Sequence, residues 1–577
     1  MNNGNKLRKY LSPAGVWAFA IGTSVGWGSL VVTSSTYLAQ AGPAGSVLGL
    51  AAGALVMLVI CRNYSYMVNY CPEAGGAYSF VRDCFGYDYG FITAWFLALT
   101  YFAMLWANAT ALPLFGRIFM GNIFRVGKLY TVFGYDVYIG EALLSIAALL
   151  IVGALCAKAQ RAAAVLMAVL VCLFSAGITV CFIGAAAGGH ASMSPAFVPD
   201  TAALGQIVRI AIISPWAFIG FESISHGAEE FSFDHRKTHR ILVISVLTTL
   251  ALYVMVTLLS VTAYPPEYAN WLEYIRDLDS LEGLKALPAF YAADHYLGAF
   301  GVVILELSLL ALVLTSLIGN ISALSRLTFS MSRDGIMPEK FFRLSSSGTP
   351  SNAVFFVVLL SCIVPFAGRT AIGWIVDVTT IGAVLIYGVV SAANAAAGKR
   401  TDDRRTKWFG YTGVFLMIVF AACIFLPNLV AKGTLATETY VLFIVWSVLG
   451  FLFFRRILHK DREKRFGNSI IVWVALLALV LMFALIWMRQ SMIMSNDRVR
   501  QNIENYYGQV ENLSDDRIDD EEYVEDQMRR LELEDTRTML MAVGMFVFAL
   551  VIVLNNHFYM SKRSKENELS IWRTPIR

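Results

Sequence analysis

Residues 22–29 read GTSVGWGS, in the middle of an apolar stretch that runs from about Ala14 to Leu38. These eight residues include three glycines, and each glycine in a helix interior costs about 1 kcal/mol relative to alanine. An unwound turn in a membrane also frees backbone N–H and C=O groups, for which protein, water or a ligand must supply partners. The stretch therefore predicts a membrane helix that is broken near its centre.

The composition predicts a helical membrane protein. Of the 577 residues, 57% are hydrophobic and 15% are charged, and the mean hydropathy is +0.61. Nearly uncharged runs of about 20 residues recur, each long enough to cross roughly 30 Å of hydrocarbon. Short alternating segments typical of membrane β-barrels do not recur. We predict an all-α integral membrane protein with about 14 transmembrane helices, surrounded by the lipid bilayer.

Charge and hydropathy together predict the topology. Most of the 45 lysines and arginines fall on one side if the N-terminus is cytoplasmic, which predicts a plasma-membrane protein with both termini in the cytoplasm. The net charge of +4 comes with no basic aromatic patch, so no nucleic-acid partner is predicted. The predicted spans lie near residues 14–40, 44–68, 88–116, 138–157, 162–187, 204–228, 240–263, 297–329, 352–368, 371–397, 409–427, 437–454, 468–488 and 539–560.

Three further motifs accompany the glycine-rich stretch. They are PEAGGAYSFVRDCFG at 72–86, WAFIGFES at 216–223 in the sixth span, and SRLTFSMSRDGIMPEKF at 325–341. In this order the motifs resemble those of the amino acid-polyamine-organocation transporters, and the resemblance covers roughly residues 10–457. It implies two inverted repeats of five helices, spans 1–5 and 6–10, with broken first and sixth helices that meet at the bilayer midplane. The first and sixth spans of this chain both contain a central interruption with glycine.

The resemblance also implies a substrate site between the two breaks, for an amino acid or a related small amine. The substrate carboxylate is expected at the N-terminal end of the half-helix that follows the first break, where N–H groups are free. The alternative for the first motif is that its glycines only allow close packing of helices. The alternative for Asn108, on span three, is an amide that bridges two helices. The predicted substrate-binding residues are Thr23, Ser24, Gly26, Gly28, Asn108, Trp216, Phe218, Gly220 and Phe221.

Residues on spans six and eight are candidates for gating or ion coupling. Glu222 directly follows the second break, and an ionisable group at this depth costs at least about 2.5 kcal/mol, so we predict a gate, a proton site or a partner for a cation. A carboxylate that only hydrogen-bonds between helices is the alternative. Thr315 and Ser316 match the hydroxyl pair that holds Na⁺ in sodium-driven relatives of this fold, although hydroxyls often bond to their own helix.

The identity of the coupling ion stays open between H⁺ and Na⁺. Proton-coupled members of the family can carry a basic residue in span five, but residues 162–187 contain no charge. No other cofactor, no metal beyond a sodium ion at Thr315 and Ser316, and no catalytic residue are predicted.

The second and fourth motifs predict an inner gate. In this topology both lie on the cytoplasmic side, where Arg82 and Asp83 are available to pair with Arg333 and Asp334. A transporter that rocks between two states needs contacts on its inner side that can break. Ordinary loop structure is the alternative.

Residues 458–577 lie beyond a twelve-span core at 1–457. Two extra spans bracket residues 490–538, which hold 14 acidic and 6 basic residues and are predicted to be extracytoplasmic. Apolar residues at helical spacing predict a short antiparallel hairpin there. We expect this addition to be an accessory element or the docking site of a protein partner. The oligomeric state is not readable from the sequence.

The predicted function is secondary active transport of an amino acid or related small amine by alternating access, coupled to an ion or by exchange. The protein is not predicted to be an enzyme. The alternative is a transporter-like amino acid receptor that signals through its C-terminal two-span module. The aromatic residues near the breaks favour an apolar substrate and Glu222 favours a cationic one, so the substrate is not determined.

Overall fold

The computed structural model describes residues 7–132, 135–188, 193–199, 201–367, 371–425, 437–461, 464–467, 469, 471–510 and 520–573. Helices make up nearly all of its regular structure, and the chain forms two compact units, Met1–Gly433 and Thr434–Arg577. Among the described residues, ten helices are long and apolar enough to cross a membrane, or eleven if one bent pair is a single span. The nearly all-α, multi-pass membrane architecture is therefore confirmed. The count of about 14 spans and the five-plus-five inverted repeat stay predictions.

The first part of the first unit runs through seven helices. A Ser12 side chain caps the first helix, and Pro13 occupies a position at its start where a missing N–H is harmless. A two-stranded antiparallel sheet, β1 (Lys128–Val132) and β2 (Tyr135–Tyr138), joins the fifth and sixth helices. The helices are α1 (Pro13–Ser24), α2 (Trp27–Ser34), α3 (Thr36–Tyr70), α4 (Ala77–Phe85), α5 (Tyr87–Met120), α6 (Ile139–Lys158) and α7 (Gln160–Ala187).

The second part of this unit contains the other broken helix. A 3-10 helix, Phe221–Glu230, follows α9, and α12 is the longest helix of the unit. Short 3-10 turns occur at His235–Lys237, Leu278–Ser280, Gly283–Ala286, Glu339–Phe341 and Val364–Ala367. The helices are α8 (Ala203–Ile213), α9 (Pro215–Phe218), α10 (Thr238–Leu259), α11 (Trp271–Arg276), α12 (Pro288–Arg333), α13 (Ser351–Ser361), α14 (Ala371–Arg400) and α15 (Arg404–Phe425).

Two long helices change direction at glycines, and α1 lies in the interior. Gly42 in α3 has φ 65° and Gly298 in α12 has φ 59°, both outside the helical region. The bend at Gly42 lies where the sequence predicts the boundary between the first two spans. Helix α1 packs against α7, α10, α12 and the 3-10 helix, so its broken end is surrounded by protein.

The described residues of the second unit form three helices, α16 (Thr437–Lys460), α17 (Ile471–Val510) and α18 (Asp520–Arg573). Phe443 of α16 stacks on Phe483 of α17, with ring centroids 4.5 Å apart. Helices α17 and α18 run antiparallel, and the Ser495 hydroxyl donates to Glu534 at 2.7 Å. Both ends of the predicted acidic hairpin are thus helical, whereas its expected turn at 511–519 lies outside the described residues. The predicted boundary after residue 457 falls within α16.

Candidate functional site

The first break separates α1 from α2. Val25 and Gly26 adopt extended conformations, with ψ 105° and 179°, so α1 ends at Ser24 and α2 begins at Trp27. The Trp27 N–H, at the free N-terminal end of α2, donates to Oδ1 of Asn108 on α5 at 3.2 Å. The Thr23 hydroxyl donates to the Phe19 carbonyl at 2.6 Å, within α1. Protein groups therefore satisfy polar atoms at this break, as burial in a membrane requires.

The second break lies between α9 and the 3-10 helix, at Gly220. Its φ of 114° is a left-handed conformation that side chains rarely allow. A Cβ on Gly220 would lie 2.7 Å from the Thr23 carbonyl oxygen and 2.9 Å from the Ser24 nitrogen. The Ser24 hydroxyl also donates to the Phe218 carbonyl at 3.2 Å. The two breaks are thus in backbone contact, and only glycine fits at the crossing.

The predicted aromatic residues surround this crossing in two different ways. Trp216 lies beside α2, where its ring is 3.5 Å from the position that a Cβ on Gly28 would take. Phe218 instead packs on Tyr253 of α10, with ring centroids 6.0 Å apart. Phe221 packs on Tyr387 of α14 at 5.8 Å. Trp216 therefore lies against the N-terminal half-helix α2, while the two phenylalanines anchor the break to neighbouring helices.

The span-three side chains are also divided between two tasks. Asn108 lies over Gly26, where a Cβ would come within 2.8 Å of its Oδ1 atom. The Asn108 amide nitrogen donates to the Met104 carbonyl at 2.8 Å. Trp106 donates from its indole to the Ser361 hydroxyl at 3.1 Å, which joins α5 to α13. Only Asn108 of this pair reaches the break.

Glu222 is buried directly below the second break and accepts three hydrogen bonds. The Tyr101 hydroxyl donates to Oε1 at 2.9 Å, and the Tyr387 hydroxyl donates to Oε2 at 2.9 Å. The Gly220 N–H also donates to Oε2 at 2.9 Å. All three donors are neutral, so the carboxylate joins the 3-10 helix to α5 and α14 without an ion pair. Sequence reasoning missed both tyrosines, because neither of them lies in one of the four motifs.

Thr315, one of the two predicted sodium ligands, lies on the wall that α12 presents to α1. A Cβ on Gly22 would lie 2.9 Å from the Thr315 Cβ atom, and a Cβ on Gly319 would collide with Thr23. The Thr315 hydroxyl donates to the Leu312 carbonyl at 3.0 Å within its own helix. Ser316 Oγ lies 3.1 Å from the Asn320 amide nitrogen. Both residues are buried, and a sodium ion at them stays a prediction.

Ion pairs form where the inner gate is predicted. Arg82 of α4 pairs with Asp334 and with Glu73, each at 2.6 Å, and Arg333 pairs with Glu229 at 2.7 Å. Burial disfavours the charged guanidinium of Arg82, but Asp334 and Glu73 outweigh it and hold its pKa above the usual range. Together these five residues tie the 72–86 motif to the end of α12 and to the end of the 3-10 helix.

Two details of the gate differ from expectation. Asp83 does not join this group, because its carboxylate lies 3.7 Å from Arg400 at the end of α14. Tyr78 was not foreseen, and its hydroxyl donates to Asp334 at 2.5 Å. The pairing of Arg82 with Asp334 was predicted as a contact; the role of Arg82, Arg333 and Asp334 as a gate stays a prediction.

A second, fully buried ion pair lies next to this group and was missed from the sequence. Arg326 of α12 contacts both carboxylate oxygens of Glu230, at 3.1 and 3.2 Å, and the two side chains are only 4% and 1% exposed. The Gln160 amide donates to Glu230 at 2.6 Å, and Arg326 donates to the Tyr10 hydroxyl at 3.3 Å. The available signal was an arginine inside the long apolar helix α12 and an acidic pair at the end of span six.

The N-terminal segment is part of the same arrangement. Backbone N–H groups of Tyr10 and Leu11 donate to the Glu230 carbonyl at 2.9 and 3.0 Å, and Ser232 donates back to the Leu11 carbonyl. A small cavity lies between this segment, α1, the 3-10 helix and α12. Its lining includes Phe19, Ser223, Glu230 and Arg326. On the side of the two breaks where α1 begins, hydrogen bonds and ion pairs therefore hold the N-terminal segment, the 3-10 helix and α12 together.

Comparisons with known proteins agree with this architecture. The model of the family described as "Amino acid permease" matches residues 15–434, which is close to the extent of the first compact unit. The branched-chain amino acid permease BcaP of Lactococcus lactis is 25% identical over 61% of this chain and 75% of that protein. BcaP of Bacillus subtilis is 22% identical over 78% of this chain and 92% of its own length, and the lysine-specific permease LysP of Escherichia coli is 22% identical over 64% and 74%. The chain belongs to the amino acid permease family.

Proposed function

We propose that this protein is a secondary active transporter that moves an amino acid or a related small amine across the plasma membrane by alternating access. The proposal includes cytoplasmic N- and C-termini and either ion coupling or exchange. The observation that carries it is the crossing of the two breaks, where Gly220 lies against the backbone of Thr23 and Ser24. Such a crossing leaves half-helix ends inside the membrane, where they can bind a zwitterion.

The geometry supports a specific way of binding the substrate. In the structure, the Asn108 amide oxygen accepts the N–H of Trp27, which is the kind of donor that a substrate carboxylate needs. A substrate carboxylate would accept the Trp27 N–H in place of Asn108. The Asn108 side-chain amide would then rotate toward that carboxylate. Trp216, which lies against Gly28, would then cover the substrate side chain. The ammonium group would take carbonyls of the first break.

Glu222 is proposed as the coupling or gating group. Its three hydrogen-bond donors are neutral, so the carboxylate takes up a proton without breaking an ion pair. A protonated carboxyl presents a donor where an acceptor is needed, which would loosen the link to either Tyr101 or Tyr387. Sodium coupling through Thr315 and Ser316 is the competing proposal, and dependence of uptake on external sodium tests it.

The names of the relatives do not select one substrate. BcaP is named for branched-chain amino acids and LysP for lysine, so we propose an amino acid or related amine and no narrower class. The second unit is proposed as an accessory element, and a protein partner at its hairpin stays a prediction.

The test is uptake by the purified chain in proteoliposomes. Labelled leucine and lysine are supplied under a pH gradient, a sodium gradient or an internal excess of the same solute. Accumulation or exchange of either solute above empty liposomes is expected. A chain that binds these solutes but never moves them would contradict transport and favour the receptor alternative. Glu222→Gln is the matched variant, because it keeps the size of the side chain.

A further inference from the structure

His226 is a buried titratable residue that the proposed transport mechanism does not use. It lies on the 3-10 helix, four residues after Glu222, and is 1% exposed. Neither of its ring nitrogens has a hydrogen-bond partner within the described chain. Its ring meets the ring of Tyr101 edge-on at 5.3 Å, and the hydroxyl of that same tyrosine binds Glu222. A buried polar group without partners is rare and indicates a function or a second conformation.

The loop of the 72–86 motif seals His226. Gly75 and Gly76 have φ of 103° and 55°, which lets the chain turn tightly onto the 3-10 helix and α12. A Cβ on Gly76 would lie 3.1 Å from the Cε1 atom of His226, and one on Gly75 would lie 2.6 Å from the Ser330 hydroxyl. Glu73 of the same loop belongs to the ion pairs with Arg82 and Arg333. When these ion pairs separate, the seal over His226 moves with them.

The charged groups on the helix of His226 are mostly engaged elsewhere. Glu222 is held by two tyrosines, Glu230 pairs with Arg326, and Glu229 pairs with Arg333 through Oε1. Within the described residues, Oε2 of Glu229 and the Ser225 hydroxyl have no hydrogen-bond partner. From α12, Arg326 acts on the imidazole as a like charge if the ring is protonated. From α5, the neighbour is Tyr101, and from the loop it is Gly76. In this closed arrangement no described acceptor lies within hydrogen-bond distance of either ring nitrogen, so a protonated ring would be a buried cation without a bonded acceptor, which is strongly unfavourable.

We propose that His226 is a proton-binding site that links opening of the inner gate to cytoplasmic pH. This inference rests on the proposed alternating access and orientation. Its ring takes a proton from cytoplasmic water when the loop at 72–76 moves away, and releases that proton to water before the gate closes. No other bond changes. Because only the open gate accommodates the charged ring, acid on the cytoplasmic side favours the open gate.

The size of the effect follows from the ordinary titration of a solvated histidine. With a pKa of about 6.5 in the open gate, protonation raises the open population about tenfold between about pH 7.5 and about pH 5.5. The neutral closed state does not change over this range in the proposal. A fold-change of this size is measurable on the intact protein.

Cys71 reports the opening, because it directly precedes the loop and is buried in the closed arrangement. Its labelling rate by a thiol reagent is measured in the full chain and in His226→Gln at each pH. The ratio of the two rates cancels the pH dependence of thiol chemistry. We expect this ratio to rise about tenfold on acidification. The matched control is His239→Gln, a change of a half-exposed histidine on α10, for which the ratio to wild type stays near one.

Two results would overturn the proposal. One is a ratio of the wild-type rate to the His226→Gln rate that stays constant between about pH 7.5 and about pH 5.5, and the other is a ratio that falls on acidification. Uptake by His226→Gln at about pH 7.5 should persist, since the proposal leaves the substrate site intact. Wild-type uptake together with a pH-independent ratio of labelling rates would therefore refute the role of His226 and leave the proposed transport standing, while absence of wild-type uptake refutes the transport proposal itself.

A second measurement, which leaves His226 unchanged, covers the case in which His226→Gln does not fold. The Cε1 atom of His226 lies between the two ring nitrogens, and its hydrogen exchanges with deuterium in heavy water. Mass spectrometry follows this exchange. We expect slow exchange in wild type and faster exchange in Asp334→Asn, which weakens the gate. Equal rates in both proteins would show that gate opening does not expose His226, and would refute the proposal.

Discussion

The crossing of the two helix breaks and the ion-pair group at the end of the 3-10 helix are both polar, but they are built from different groups. At the crossing, glycine, hydroxyls, the Asn108 amide and neutral tyrosine donors satisfy the backbone and Glu222. At the ion-pair group, charged side chains meet directly, as in Arg326 with Glu230 and Arg82 with Asp334. One region contains a single carboxylate, while the other contains several pairs of opposite charge.

We expect this difference to separate a permanent feature from a reversible one. Neutral hydrogen bonds and backbone contacts have no good substitute in a membrane interior, so the crossing should persist through a transport cycle. Charged groups are well solvated by water, so their pairs can be exchanged for hydration when a gate opens. The predictions below test this division, from the largest expected effect to the smallest.

Arg326→Met should cause the largest loss of stability. It leaves Glu230 as a buried charge, and breaking a buried pair from one side costs about 3–5 kcal/mol. Thermal unfolding of the purified protein measures the loss. Combining Arg326→Met with Glu230→Gln should restore more than half of it, because no unpaired charge remains. Arg343→Met is the control, since the pair of Arg343 with Glu339 is exposed; equal losses in the two single variants would contradict the prediction.

Gly220→Ala should disrupt the crossing. The new Cβ meets backbone atoms of Thr23 and Ser24 and the residue must keep a left-handed φ, so we expect a loss of about 2–3 kcal/mol. Stabilisation by substrate in a thermal-shift assay should disappear as well. Gly205→Ala in α8 is the matched control, because a Cβ there meets nothing within 4 Å. A Gly220→Ala protein that is as stable and as responsive as this control would show that the breaks are not in tight contact.

Asp334→Asn should open the gate at a moderate cost. The carboxylate accepts from Arg82 and Tyr78, and loss of a hydrogen bond to a charged group costs about 1.5 kcal/mol. Labelling of Cys71 should rise about tenfold if that energy holds the gate closed. Asp83→Asn is the control, because Asp83 lies near Arg400 and outside the gate. Similar labelling of both variants would remove Asp334 from the gate.

Glu222→Gln should change stability little, by less than about 1 kcal/mol, because the amide keeps the size of the side chain and most hydrogen bonds. Substrate binding should persist, while accumulation driven by a pH gradient should be lost. Affinity and uptake are measured on the same preparation, with exchange of internal for external solute as the control for folding. Unchanged accumulation under a pH gradient would assign Glu222 to helix packing alone.

Removal of residues 434–577 should have the smallest effect on transport, since the crossing and the ion pairs of Arg82, Arg326 and Arg333 lie in the first compact unit. This cut follows the unit boundary, whereas a cut after residue 457 would separate α16 from Phe483 and the rest of α17. The measurement is uptake per folded molecule in proteoliposomes. Loss of uptake by a truncated chain that still binds substrate would show that the second unit takes part in the cycle.

Local sequence features predicted the two helix breaks and one contact of the proposed gate. The break at Val25 and Gly26 follows from glycine and hydroxyl residues in an apolar helix, and the break at Gly220 follows from the same signal. The contact of Arg82 with Asp334 was predicted from two motifs that each contain an Arg-Asp pair. In each case the informative residues are close together in the chain or lie in a recurring motif.

The partners of the buried charges could not be read in this way. Glu222 is separated by 121 residues from Tyr101 and by 165 from Tyr387, and Glu230 is separated by 96 from Arg326. Nor does the sequence near His226 indicate that Gly76 seals it. Hydrophobic run length and glycine placement act on each helix separately, so the chain alone was enough to predict membrane helices and their breaks. Which side chains meet depends on how α5, α12, α14 and the 3-10 helix pack, because burial in a low dielectric requires each polar group to find its partner on another helix.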